Sequence, residues 1–308
     1  MDETFEKALK ANVMSTKILI RGNVSKDILY KAYKIATDFE DRYSAYKKES
    51  FLSQINTKAF KESVLCKEED IVLFERCLEA SILTDGAFDI TIGSLSHGAY
   101  HFGFSNQKVA TPQEIDSKKK LVDSQLFEIE ENSVSFKRSG VRIDLGGIGK
   151  GYVAKLIALF LKKSGATKAL VDVGGEMVSF GKSYTVAIKD PFSEGNIGFI
   201  KTSKEAISIS TSGDYVRFVE SQKTNHILNT ETGKSSNLYS SITILQNGFD
   251  IDMLDAFATA LFNKDSQYIR EFSKKRNIGI ITIEKDSNLV FTNTNNLGIS
   301  SIELLYSL

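Results

Sequence analysis

The chain has no tryptophan, only two prolines, two cysteines and three histidines, and no net charge, with 39 Lys plus Arg against 39 Asp plus Glu. Each shortage excludes something. Two thiols, Cys66 and Cys77, both in or beside an amphipathic helix pattern, make reduced core cysteines the expectation, not a disulfide framework. Balanced charge leaves no global field to recruit nucleic acid or an anionic membrane, so a charged ligand must be held locally. Nowhere do 18 apolar residues run together, which gives no transmembrane segment, and Met1-Asp-Glu-Thr-Phe-Glu-Lys lacks the basic start and apolar core of a signal peptide. The expectation is a cytoplasmic protein as written, with an exported or membrane-anchored form still open if a leader has been removed.

What is present is enough chain, 308 residues, for one large core. Val13 to Arg21 reads as a strand. Ser25 reads as the N-cap of a helix burying Ile28, Leu29, Ala32, Ile35, Ala36 and Phe39. A polar loop surrounds Tyr43 to Tyr46, and a second helix runs from about Glu68 to Leu83, stopping at Asp85-Gly86. Thr111-Pro-Gln-Glu114 is a capping box before a short helix. Two strands are read between Phe127 and Leu145, meeting across Arg138-Ser139-Gly140, and another at Ala169 to Val173. Further strands are read at 185–188, 198–202, 206–210, 241–246, 278–283, 289–291 and 302–305, with helices at about 252–262 and 266–274. Helices and strands mix without strict alternation, and no repeat appears. The class is α+β, a single large domain over residues 1–308, of two packed lobes with mixed sheets.

The densest signal is Arg142-Ile-Asp-Leu-Gly-Gly-Ile-Gly-Lys-Gly-Tyr152. Val141, Ile143 and Leu145 alternate as a half-buried strand does, and from Val153 the apolar period is helical, so the glycines stand at a helix N-terminus. Such a joint suits phosphate, because glycine admits close backbone approach and the helix dipole favours an anion. Taken alone, a close-packing glycine cluster is the commoner explanation. Gly149-Lys-Gly-Tyr-Val-Ala154 also imitates a dinucleotide fingerprint with Asp172 as the ribose acid, but Gly146-Gly147-Ile148 intervene after the strand and Val173-Gly174-Gly175 follow the acid. A Walker loop fails because Lys150 is followed by Gly151 and Tyr152.

Four other segments carry chemistry. Thr84-Asp-Gly-Ala-Phe-Asp89 follows a helix; Gly86 reads as its C-cap, which leaves Asp89 and Thr91 on the next extended segment. Ser210-Thr-Ser-Gly-Asp-Tyr215 ends a strand with hydroxyls that suit either a ligand or a plain turn. Asn225-His-Ile-Leu-Asn-Thr-Glu-Thr-Gly233 holds His226 among hydroxyls. In Asp252-Met-Leu-Asp-Ala-Phe-Ala-Thr259, helical spacing puts Asp255 and Thr259 on one face, hard oxygens suited to Mg²⁺; acids complementing a helix dipole explain the same residues.

Together these segments, with Met14-Ser-Thr16, Ser44-Ala-Tyr46, Ser50 and Asn56, resemble in order the ApbE family of FAD:protein FMN transferases over nearly the whole chain. The resemblance implies an ApbE, T-fold-like architecture and a Mg²⁺-dependent enzyme that cuts FAD and attaches FMN through a phosphoester to a Thr or Ser of an acceptor flavoprotein, releasing AMP. By carry-over, Asp255, Thr259 and the carbonyl of Gly149 hold the metal. Met14, Ala87, Phe88, Asp89, Asp144, Lys150, Gly151, Asp214, His226 and Leu228 lie along FAD, with His226 and Asp255 catalytic. Three departures stand out: Ser15 where the family usually has Gly, Asn229-Thr-Glu-Thr-Gly233 where Asp-Pro-Arg-Thr-Gly is common, and Lys155 where Asp is frequent. The competing readings are a FAD pyrophosphatase using the same site with water, a non-catalytic flavin-binding module, and a Rossmann oxidoreductase.

Overall fold

The computed structural model describes residues 5–215, 218–295 and 297–305; residues 1–4, on which the leader reading partly rests, lie outside them. The chain opens with a hairpin, β1 (Lys7–Val13) and β2 (Thr16–Gly22), where the sequence suggested one strand. Its turn residues Met14 and Ser15 have φ of 53° and 58°, the left-handed pair that a two-residue hairpin turn requires. Without glycine or asparagine there, the sequence carries no turn signal. Ser25 caps α1 (Lys26–Tyr43) by accepting the N–H of Ile28. An unanticipated helix, α2 (Phe51–Lys58), is capped by Ser50 and barely exceeds two turns, too short for its apolar period to register. After β3 (Val64–Leu65) comes α3 (Glu68–Leu83), which ends as read: Gly86, at φ 75°, donates to the carbonyl of Ser81.

Short helices α4 (Gly93–Ser96) and α5 (Pro112–Lys118) follow, the latter with both halves of the Thr111–Glu114 capping box formed. The hairpin β4 (Phe127–Glu130) and β5 (Ser133–Phe136) then departs from the sequence reading: it turns before Ser133, and Val141 to Leu145 form no strand. The alternation of burial is real, but side chains replace the ladder. Asn56 grips both the N–H and the carbonyl of Ile143, Ser94 accepts from Arg142, and Asp144 donates to the carbonyl of Ile90. Such partners lie far off in sequence and cannot be read from periodicity.

Helix α6 (Gly149–Lys163) begins inside the glycine run, ahead of Val153. Beyond it lie β6 (Ala169–Val173), β7 (Glu176–Phe180), β8 (Thr185–Lys189), β9 (Asn196–Thr202) and β10 (Ile207–Gly213). The remainder is β11 (Phe218–Val219), β12 (Ser221–Asn225), β13 (Tyr239–Asn247), α7 (Ile251–Leu261), α8 (Ser266–Arg276), β14 (Gly279–Glu284), β15 (Leu289–Thr292) and β16 (Ile299–Leu304). Eight strands form the main sheet in the order β1-β2-β6-β7-β10-β13-β14-β15. Every pairing among the described residues is antiparallel. The expected mixed sheets are thereby corrected, and a dinucleotide fold, which needs parallel strands, is excluded.

The middle of the sheet is buried on both faces. Ile242, Ile244 and Ile280 join the core formed with α1, α6 and α7, while Ile207, Ile209, Leu245 and Ile281 pack against Val186, Ile188 and Ile200 of the three-stranded sheet β16-β9-β8. Period-two alternation thus serves two apolar layers at once. α6 packs on α1 and on α7, which brings the glycine run and the Asp255 helix side by side.

Candidate active site

Gly151 is what lets α6 and α7 meet so closely. A Cβ built there would stand 2.5 Å from the carbonyl oxygen of Ile251 and 2.8 Å from Cβ of Asp255. At that contact Asp255, 1% exposed, accepts the Gly151 N–H at 2.9 Å through Oδ2, while Oδ1 lies 3.8 Å from Nζ of Lys150. Lys150 Nζ is in turn 2.5 Å from Oε1 of Glu176, a residue fully buried at the start of β7. Thr259 follows one turn along α7, and Gly147 packs against it: a Cβ on that glycine would be 3.1 Å from the Thr259 hydroxyl.

Burial raises the Asp255 carboxyl, and burial together with the charge of Asp255 raises that of Glu176. Burial works against the Lys150 charge, but the two carboxylates outweigh it and hold the ammonium well above its ordinary range. Two acids share one ammonium on a dry floor where burial disfavours their charged forms, and a bound cation would favour those forms. Among the described residues no group of three or more His, Cys, Asp or Glu side chains could hold a metal. The residues that would hold an ion here are Asp255, the Thr259 hydroxyl and the Gly149 carbonyl, which all line the cleft, with phosphate oxygens and water as the remaining donors. That all-oxygen donor set fits Mg²⁺.

Above this floor opens a cleft of about 290 Å³. Of the residues singled out from sequence, Met14, Ala87, Phe88, Asp89, Asp144, Gly149, Lys150, His226, Leu228, Asp255 and Thr259 all line it. Two do not. Gly151 faces α7, and its N–H is spent on Asp255. Asp214 is buried beyond the end of β10 and paired with Lys285, so its charge is answered within the protein. Asp89 lines the cleft but commits Oδ1 to the N–H and hydroxyl of Thr91 as the cap of a short 3-10 helix, and burial raises its carboxyl. Asp172, the decoy ribose acid, accepts the N–H of Gly175 in the β6–β7 turn.

The His226 loop is fixed from both sides. Asn225 accepts from Ile227 and donates to the carbonyl of Ser236, and the Thr230 hydroxyl donates to the carbonyl of Gly86, tying this loop to the one that carries Phe88. Asp144 is likewise held: Oδ1 accepts the Gly146 N–H, and Oδ2 accepts the Ser96 hydroxyl and lies 3.3 Å from Nε2 of His97.

Several lining residues escaped the sequence reading. Phe39 and Tyr43 from α1, with ring centroids 4.6 Å apart, form one aromatic wall. His97 is set edge-on to Tyr46 and Phe104. Glu40 receives the N–H of Met14 and so anchors the β1–β2 turn over the cleft. Phe39 was legible only as core. Glu40, Tyr43 and His97 carry no local motif, and their roles come from contacts across the fold.

A glycine-rich helix start beside a buried carboxylate, lysine and hydroxyl, with an aromatic wall above, is an arrangement that suits a phosphate-bearing aromatic ligand. The ApbE family profile matches residues 10–282, and the chain belongs to the ApbE family. It is similar to the FAD:protein FMN transferase of Klebsiella pneumoniae, 26% identical over 287 residues, covering 90% of this chain and 88% of that one. The enzyme of the same name from Escherichia coli is 27% identical over 260 residues, covering 80% and 73%. In structure the chain resembles the ApbE protein of Thermotoga maritima, with a TM-score of 0.86, 25% identity, and coverage of 96% and 100%. The flavin transferase ApbE of Vibrio cholerae shares the fold at a TM-score of 0.82 and 22% identity, covering 94% and 98%.

Proposed function

We propose that this protein is a FAD:protein FMN transferase that depends on Mg²⁺ and modifies a Thr or Ser hydroxyl of an acceptor flavoprotein. The observation that carries the reading is the floor of the cleft, where a buried carboxylate, a hydroxyl and a lysine converge at a glycine-rich helix start. The acceptor hydroxyl oxygen attacks the FMN-side phosphorus, the bond to the bridging oxygen breaks, and AMP leaves. Such a transfer asks little covalent chemistry of the protein; it needs in-line placement and compensation of developing charge. Asp255, Thr259 and the Gly149 carbonyl would hold Mg²⁺, which when bound would supply that charge compensation.

The chain's own residues do the rest. Lys150 presents a fixed positive charge to the phosphates. Phe39, Tyr43 and Phe88 give the ring system an apolar wall that excludes water, and the fixed loop holds His226 over the same space to orient the acceptor hydroxyl or take its proton. The test is to incubate the protein with FAD, Mg²⁺ and a host lysate, then to seek FMN-modified protein and AMP by mass spectrometry. Release of FMN and AMP with no modified protein would mean a pyrophosphatase, and FAD bound but intact would mean a flavin-binding module.

A further inference from the structure

Lys150 sits between two carboxylates and chooses one. Its Nζ is 2.5 Å from Oε1 of Glu176 and 3.8 Å from Oδ1 of Asp255. The second distance is short enough that a small side-chain rotation would close it into a direct ion pair. Asp255 Oδ2 already accepts the Gly151 N–H, so Oδ1 is the oxygen left to face the cleft. An ammonium bonded to Oδ1 would neutralise that oxygen and occupy the space a cation needs.

We propose that Glu176 is a positioning residue whose work is to hold Lys150 away from Asp255, keeping Oδ1 open to a divalent cation and aiming the ammonium at the phosphates instead. The inference rests on the metal reading of Asp255 given above. Three features support it. Glu176 is completely buried, and its other oxygen, Oε2, meets no hydrogen-bond partner of good geometry, the Ser210 hydroxyl being the polar group beside the carboxyl. It stands at the first position of β7, directly after Gly174 and Gly175 with φ of 62° and 99°, a tight turn that fixes where the carboxylate enters the floor. Lys150 is the only cation ion-paired to Glu176 among the described residues. A buried carboxylate kept beside a lysine that already has a second acid within reach is costly unless the competition itself matters.

The test measures binding directly, with Mn²⁺ as the spectroscopic stand-in and no FAD present. Electron paramagnetic resonance titration of the wild type is compared with Glu176→Gln, Lys150→Met and the double variant. Partners outside the metal's own ligands typically govern affinity by about 10–100-fold. Glu176→Gln should weaken Mn²⁺ binding by about that factor, and the double variant, which removes the competing ammonium, should restore it. Loss of affinity in both, or in neither, overturns the proposal. Because a change of charge alone would also weaken Glu176→Gln, the second readout is a crystal structure of the metal-free variant. Lys150 Nζ within hydrogen-bonding distance of Asp255 Oδ1 is the expected result, and an ammonium that stays put refutes it. A wild type that binds no Mn²⁺ would overturn the metal reading, and the crystallographic distance would still decide whether Glu176 holds the lysine off Asp255.

Discussion

Replacing Gly151 by alanine adds a single methyl group at the point where α6 and α7 touch, and its consequence follows from three distances. The new Cβ would meet the Ile251 carbonyl oxygen at 2.5 Å, Asp255 Cβ at 2.8 Å and the Asp252 Cα at 2.9 Å, where ordinary contact begins at 3.4 Å. Two of those atoms are backbone and the third is a Cβ, so no rotamer relieves the clash and α7 must retreat by about 1 Å. Overpacking of this kind costs about 2–3 kcal/mol. Alanine's better helix propensity returns about 0.5–1 kcal/mol, leaving a net loss of about 1–2.5 kcal/mol and, at about 2–4 °C per kcal/mol, a Tm lower by about 2–10 °C. The larger effect is on catalysis, because the retreat carries Asp255 off the Gly151 N–H, and a 1 Å misplacement at a reacting centre costs about 10²-fold. The control is Gly195→Ala, whose added Cβ finds only Ser193 Oγ at 3.6 Å. Thermal melting and FMN transfer at saturating FAD are the assays. A Gly151→Ala protein that melts and turns over like wild type would refute the packing argument.

Three further outcomes are expected. Asp255→Ala should abolish FAD cleavage while the protein still melts cooperatively, since several kcal/mol of charge compensation at the pyrophosphate disappear; undiminished turnover in EDTA would sink the metal reading. His226→Asn should slow transfer by about 10²–10⁴-fold if the imidazole takes a proton and by less if it only orients the hydroxyl, whereas a trapped phosphohistidine or FMN-histidine would rule out direct attack. Asp70 is buried, and burial works to raise its carboxyl, but the Arg42 guanidinium, the Tyr43 hydroxyl and the Lys67 N–H more than offset this and hold it below its usual range. A depressed pKa contributes stability that is present above the unfolded carboxyl's value of about 3.9 and lost as pH falls through the folded one. Asp70→Asn should therefore cost about 3 kcal/mol in urea titrations at neutral pH, the low end for a broken buried pair because Arg42 is partly exposed. That gap should narrow as the medium is acidified below about pH 3.9, and a gap independent of pH would contradict the assignment.

The parts of this molecule that were legible in sequence are those whose cause is local. The Ser25 cap, the Thr111–Glu114 box and the span of α3 all follow from neighbours within one or two turns of chain. The errors share the opposite property. Val141 to Leu145 alternates like a strand, but Asn56, 87 residues away, takes its hydrogen bonds. Asp255 and Thr259 were visible as a pair on one helix face, yet what gives Asp255 its setting is Gly151, 104 residues earlier.

That contact changes the meaning of the glycine run. The sequence suggested a helix N-terminus open to phosphate, in which backbone N–H groups and the dipole face the ligand. In the fold one of those first N–H groups is given to the Asp255 carboxylate, so the positive end of α6 stabilises a protein anion. On the proposed reading the helix start would act on phosphate at one remove: the Gly151 N–H offsets part of the burial that disfavours the Asp255 charge, and Lys150, from the same first turn, is the group that would meet the ligand. Glycine at 151 is needed for helix packing, glycine at 147 to make room for the Thr259 hydroxyl, and neither requirement can be told from phosphate binding by spacing alone.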